Sequence, residues 1–158
     1  IRIDAIRKDK GSLGCALSNL KALELAYKMH SKFTLILEDD FMWKYDNYNV
    51  NNILTKIFNK QWDVCLLSCY GKRIKLNDYC SKALDCQTAS GYIIKHSYIP
   101  ILIKLWKSTI NDNQVKPAID RSWKILQKKD NWISTNPILG KQKPSYSDIE
   151  KKFVHYNV

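Results

Sequence analysis

Apolar positions along the chain switch between a helical and an extended rhythm. Leu13, Leu17, Leu20, Leu23 and Ala26-Tyr27 recur every three or four residues, which predicts a helix over residues 13–30 with Ser12 as its N-cap. Phe33-Thr34-Leu35-Ile36-Leu37 is a short continuous apolar run, the pattern of a strand buried on both faces. Val50, Ile53, Leu54 and Ile57 share one face of a predicted helix over 49–59. Residues 62–68 read as a second buried strand, 88–94 as a third interrupted by Gly91, and 132–135 as a short fourth. Helices are predicted over 98–106, with Pro100 tolerated in the first turn, and over 120–128. Residues 1–5 alternate as the tail of a strand. Residues 70–86 read as a long loop, 111–116 as a polar loop, and the tail from 137 as polar with a turn at Pro144-Ser145. Trp62, Trp106, Trp123 and Trp132 read as core.

Strands alternating with helices predict an α/β fold with a mainly parallel, Rossmann-like sheet flanked by helices. The 158 residues fit one domain over 1–158 and can bury a proper core. Ligands of such sheets bind beyond the carboxyl ends of the strands. Glu38-Asp39-Asp40 stands at that place, directly after a buried run. Three adjacent carboxylates repel one another, and Mn²⁺ or Mg²⁺ relieves the repulsion by taking one or two carboxylates together with substrate phosphates. In strand geometry Glu38 and Asp40 project to one side and Asp39 to the other, so Glu38 and Asp40 are candidate metal ligands. The plain alternative is a solvated acidic turn. Trp43, Tyr45 and Tyr48 follow the triplet and suit either a sugar-stacking surface or simple packing.

Charge alters the picture only a little. A net +11 favours polyanions or phosphorylated ligands, yet the basic residues are spread without a block and no nucleic-acid recognition motif is present. Binding to nucleic acid is therefore not expected, although a basic nucleic-acid-binding domain is the last of three readings. No apolar run approaches the length needed to span a bilayer. The cysteines Cys15, Cys65, Cys69, Cys80 and Cys86 lack the spacing of a zinc site. An odd count with two members in a buried run reads as a reducing, cytoplasmic compartment, while Cys80 and Cys86 could pair in an oxidising one. His30, His96 and His155 show no ligand spacing. Oligomeric state is not legible.

Three segments make the chain resemble glycosyltransferase family 25, which includes lipooligosaccharide and collagen hydroxylysine galactosyltransferases. They are Gly11-Ser-Leu-Gly-Cys-Ala-Leu-Ser-Asn-Leu20, then Leu35-Ile-Leu-Glu-Asp-Asp40, then Thr88-Ala-Ser-Gly-Tyr-Ile-Ile94 with Pro117-Ala-Ile-Asp120 and Ser147-Asp-Ile149. They occur in the family's order. Asn19 stands where the family pattern usually has His. The resemblance implies a GT-A-like fold whose first strand unit lies upstream of Ile1. It also implies a UDP-sugar donor, Mn²⁺ as the usual metal, and inverting transfer of a hexose, galactose or glucose, to a glycan or collagen-like hydroxylysine acceptor. Asp120 is then the first candidate for the catalytic base, with helix capping as its structural alternative, and Asp148 a candidate for metal or acceptor binding. Gly11 and Gly14 would let the backbone approach the nucleotide-sugar, with Ser18, Asn19, Lys21 and Asp39 as its further contacts. A non-catalytic binding module on the same fold is the second reading.

Overall fold

The buried apolar runs become the middle of one sheet. The computed structural model describes residues 1–111, 114–147 and 152–154. Helix α1 (Gly11–Lys28) leads into β1 (Phe33–Leu37), and β2 (Phe41–Trp43) follows the acidic triplet. Next come α2 (Asn47–Phe58), β3 (Val64–Leu66), β4 (Tyr70–Lys75), β5 (Cys80–Gln87) and β6 (Gly91–Lys95). A 3-10 turn (His96–Tyr98) opens α3 (Ile99–Thr109), which runs into the short strands β7 (Ile110–Asn111) and β8 (Gln114–Val115). The last elements are α4 (Ile119–Ser122), α5 (Lys124–Lys129), β9 (Trp132–Thr135), β10 (Gly140–Gln142), β11 (Ser145–Ser147) and β12 (Lys152–Val154).

The main sheet has the order β1-β6-β3-β9-β5-β4. Only β3 and β9 run parallel; β1–β6, β3–β6, β5–β9 and β4–β5 are antiparallel. The expected mainly parallel sheet is thus corrected to a mixed, mostly antiparallel one. The reason is physical: a continuous apolar run reports burial on both faces, and burial does not fix strand direction. Alternate residues serve the two sides. Val64 and Leu66 of β3, Tyr92 and Ile94 of β6 and Trp132 of β9 join the core beneath α1 and α3, with Ala16, Leu23, Leu102, Trp106 and Trp123. Cys65, Ile93 and Ile133 point the other way, to Val50 and Ile57 of α2 and to Trp62. The four tryptophans expected in the core are all there, at most 1% exposed.

Several boundaries differ from the sequence reading. Helix α1 starts at Gly11 with Lys10 as N-cap, not Ser12, while Asp46 caps α2 by accepting from the Asn49 N–H at 2.9 Å. Residues 1–5 form no strand. The expected loop over 70–86 is the β4–β5 hairpin, turned by Asn77, whose side-chain oxygen accepts from Tyr79 N–H and Cys80 N–H. Every residue of β4 is exposed at the sheet edge, so no hydrophobic alternation marks it. The helix expected over 120–128 divides at Trp123 into α4 and α5. Cys80 and Cys86 lie six residues apart on one strand, about 20 Å, far beyond disulfide reach, and all five cysteines are free thiols. Among the described residues no helix is long and apolar enough to cross a membrane.

Candidate functional site

The triplet sits at the carboxyl end of β1. The Glu38 N–H donates to the Ser90 carbonyl at 2.8 Å, continuing the β1–β6 pairing by one step, and the Phe41 N–H returns to the Glu38 carbonyl at 3.1 Å. Glu38 and Asp40 are half-buried and Asp39 is exposed. Beyond the turn, β2 pairs with β10 so that Phe41 faces Gln142 and Trp43 faces Gly140. The Phe41 ring locks this ribbon in place. A Cβ on Gly91 would lie 2.3 Å from the ring, and one on Gly140 2.0 Å. The ring therefore fits only because both flanks are glycine. Gly140→Ala is expected to force Phe41 aside and lower stability by about 1–2 kcal/mol, read as a fall in the urea midpoint. An unchanged midpoint would remove Phe41 as the anchor of the triplet.

Gln142 donates to Asp40 Oδ2 at 3.2 Å, and the Lys143 N–H donates to the Asp40 carbonyl at 2.7 Å. Asp40 Oδ1 is buried with no hydrogen-bond partner among the described residues. Burial raises the Asp40 carboxyl above its ordinary value; the Gln142 hydrogen bond opposes this and the Asp39 charge adds to it. From α1, Asn19 Nδ2 reaches Glu38 Oε1 at 3.5 Å and Cys15 Sγ lies 3.9 Å from the same oxygen. The Glu38 carboxyl is pushed up to about 7, first by burial and then by the Asp40 charge; Asn19 opposes, and Asp120 and Asp39 add smaller pushes. Burial, helped by Glu38 and Asp120, lifts the Cys15 thiol to about 12, so it stays a neutral donor.

Asp120 joins this group from the first turn of α4. Its Oδ2 accepts from the Thr88 N–H at 3.1 Å, and Ala118 rather than Asp120 is the N-cap. Thr88 has φ +94°, a strained conformation for a β-branched residue, and Asp120 secures it. Tyr92, opposite Ile36 in the β1–β6 register, completes the floor. Its side chain is 0% exposed and its hydroxyl has no hydrogen-bond partner among the described residues. Burial, then the Glu38 and Cys15 charges, hold that phenol well above its ordinary value.

The structure thus brings Asn19, Glu38, Asp39, Asp40 and Asp120 into one electrostatic neighbourhood and separates the others. The space beside Gly14 is filled by the chain itself: a Cβ there would meet the Ile6 carbonyl oxygen at 2.4 Å. Ser18 Oγ accepts from the Ile6 N–H and donates to the Gly14 carbonyl, both at 2.8 Å. Gly14 and Ser18 therefore hold the leading segment and do not face an open nucleotide site. Lys21 is exposed and sits two residues past Asn19, about 200° around the helix, so it points away from the triplet. Gly11 opens α1, half-buried. Asp148, and with it most of the Ser147-Asp-Ile149 segment, lies outside the described residues, as does His155. Cys15, Tyr92 and Gln142 were not singled out as site residues. Tyr92 carries one usable signal, a polar tip inside an apolar strand; Gln142 carries none, because its place depends on the β2–β10 pairing.

Among the described residues no three His, Cys, Asp or Glu side chains stand close enough to hold a metal ion by themselves. Glu38 and Asp40 fit the other mode of Mg²⁺ and Mn²⁺ binding, in which one or two carboxylates share the ion with water and substrate phosphates. The unpartnered Asp40 Oδ1, and the Asp40 charge that adds to burial in raising Glu38, are what such an ion would relieve.

No family model matches the chain, and no curated protein matches it. The solved structures similar in fold include these two. One, described as "Crystal Structure of A197 from STIV", has a TM-score of 0.53 and 12% identity, covering 91% of this chain and 76% of that one. The other, "The crystal structure of apo- UDP-glucose pyrophosphorylase", has a TM-score of 0.54 and 12% identity, covering 82% of this chain. The match takes in 54% of the pyrophosphorylase chain, about half its length. At such identities the likeness is one of fold: a mixed α/β architecture with a central mixed sheet.

Proposed function

We propose that the protein is a metal-dependent glycosyltransferase, similar to family 25, that takes a hexose from a UDP-sugar. The observation that carries this reading is the Asp40 carboxylate, with one oxygen held by Gln142 and the other buried without a partner among the described residues, beside a Glu38 carboxyl raised by burial and then by the Asp40 charge. That is an arrangement short of one cation. The fold likeness to a UDP-glucose pyrophosphorylase, a protein named for a nucleotide-sugar, supports it. Glu38 and Asp40 would hold Mn²⁺ or Mg²⁺, and the ion would neutralise the charge growing on the departing diphosphate.

The remaining work falls to the chain's own residues. Asn19 and Cys15 orient Glu38 from α1. Asp120, anchored through Thr88, is the base. It takes the proton of the acceptor hydroxyl as that oxygen bonds to the anomeric carbon; the bond to the diphosphate breaks and UDP leaves, with inversion. The hexose, galactose or glucose, goes to a glycan or a hydroxylysine.

The test is a panel of UDP-sugars incubated with the full-length protein, with and without Mn²⁺. Mn²⁺-dependent release of UDP from one of them is expected. No metal-enhanced UDP binding by calorimetry would sink the reading. One observation favours a second reading, a non-catalytic binding module on the same fold: Gly14, Ser18 and Lys21 do not face a nucleotide. Turnover of any UDP-sugar eliminates that alternative.

A further inference from the structure

Of five tryptophans, four are core and one is not: Trp43 is 36% exposed. It belongs to a run of exposed apolar side chains, Met42 at 41%, Tyr45 at 40% and Tyr48 at 79%, that begins two residues after the acidic triplet. Leaving aromatic rings in water forfeits their burial, so an exposed indole within such a run marks a candidate contact surface.

The Trp43 ring is also fixed. It meets Phe41 edge-on, centroids 4.9 Å apart at 88°. Phe41 in turn is held between Gly91 and Gly140. The cross-strand partner of Trp43 is Gly140, so no side chain lies opposite the indole. The Lys44 N–H donates to the Leu139 carbonyl at 2.8 Å and closes the ribbon behind it. A ring held this way loses little freedom when a ligand covers it.

Polar groups lie within one sugar's reach. Gln142, opposite Phe41, is two strand positions from Gly140, about 7 Å along the ribbon, and it holds the Asp40 carboxylate. Phe41 and Trp43 share a face with Gln142 and Gly140. Lys141, opposite Met42, projects to the other side of the ribbon, and Lys44 and Lys143 follow the two strands; all three are exposed.

We propose that Trp43 is the platform of the acceptor subsite and that the acceptor is a glycan, whose pyranose ring stacks on the indole while its hydroxyls turn to Gln142 and Asp40. This rests on the glycosyltransferase reading and narrows its acceptor. A pyranose presents an apolar C–H face and a rim of hydroxyls, which matches a rigid exposed ring beside a carboxylate and an amide. The chain's net charge of +11 favours a neutral or anionic glycan and opposes a lysine-rich, collagen-like peptide.

The test follows the indole N–H resonances of the ¹⁵N-labelled protein, without Mn²⁺ or UDP. Trp43 is the solvent-accessible one of the five. Lactose is titrated in one arm and a hydroxylysine-containing collagen-like peptide in the other. Lactose is expected to shift the Trp43 resonance saturably. Followed at the Gln142 side-chain amide, since the variants have no Trp43 indole, Trp43→Ala is expected to weaken that binding about tenfold, the scale of one aromatic stacking contact. Trp43→Phe, which keeps a ring, is expected to retain most of it and guards against a folding artefact. A shift with the peptide but not with lactose, or no shift with either, overturns the proposal. Mn²⁺-dependent UDP binding, measured on the same wild-type sample, reports separately on the nucleotide-sugar reading.

Discussion

Asp40→Asn is expected to reduce Mn²⁺-dependent turnover of the UDP-sugar about 100- to 1000-fold while leaving the apo protein as stable as the wild type or more so. The size of the first effect is that of removing one group that stabilises a developing anion. The second follows from what the carboxylate does without a cation. Burial already raises the Asp40 carboxyl, and its charge is the largest neighbouring charge acting on Glu38. Asparagine has nearly the same shape, and its oxygen can still accept from Gln142 Nε2. Removing the charge therefore relieves repulsion without opening a cavity. A residue present only for the fold would behave in the opposite way, losing stability and binding together. Calorimetry of UDP with Mn²⁺, set beside a urea melt in EDTA, separates the two cases. Wild-type UDP affinity in the variant would end Asp40's assignment as a ligand.

Such a site was partly legible in the sequence, and the legible part has a pattern. Phe33–Leu37 and Glu38-Asp39-Asp40 gave both the buried strand and the acids at its end, because a run of apolar residues stopping at charges has few structural solutions. Trp132–Thr135 was equally plain. The direction of those strands was not, since alternation and burial carry no sign along the chain. Strand β4 escaped because all its residues face water. Gly14 shows a subtler limit. A glycine in the first turn of a helix announces a close approach of backbone, but the approaching group here is the Ile6 carbonyl rather than a ligand. Gln142 and Tyr92 reach the triplet only through strand pairing, Gln142 from about a hundred residues away, so local spacing could not find them.

The same electrostatics make stability depend on pH. The Glu38 carboxyl titrates near 7 in the folded chain against an ordinary 4.5, so between those values the folded state holds a proton that the unfolded chain has lost. The contribution of Glu38 to stability is therefore greatest below about 4.5, falls as pH rises towards 7, and then levels. The gap corresponds to a contribution of about 3 kcal/mol. Glu38→Gln keeps the shape, and its oxygen can accept from Asn19, but it has no proton to lose. Relative to wild type it should gain about that amount at pH 8, gain little at pH 4.5, and flatten the curve between. Because the comparison is with wild type at each pH, every other titrating group cancels to first order. Mn²⁺ with UDP should act on the wild type as the substitution does, stabilising it most at high pH, and should do little for the variant. Urea midpoints from pH 4.5 to 8, in EDTA and then in Mn²⁺ and UDP, give all four curves. Parallel wild-type and variant curves in EDTA would show that Glu38 is solvated in the folded protein. An equal metal effect on both would move the cation away from Glu38. The carboxylate that destabilises the apo chain is, on this account, kept for the ion it receives.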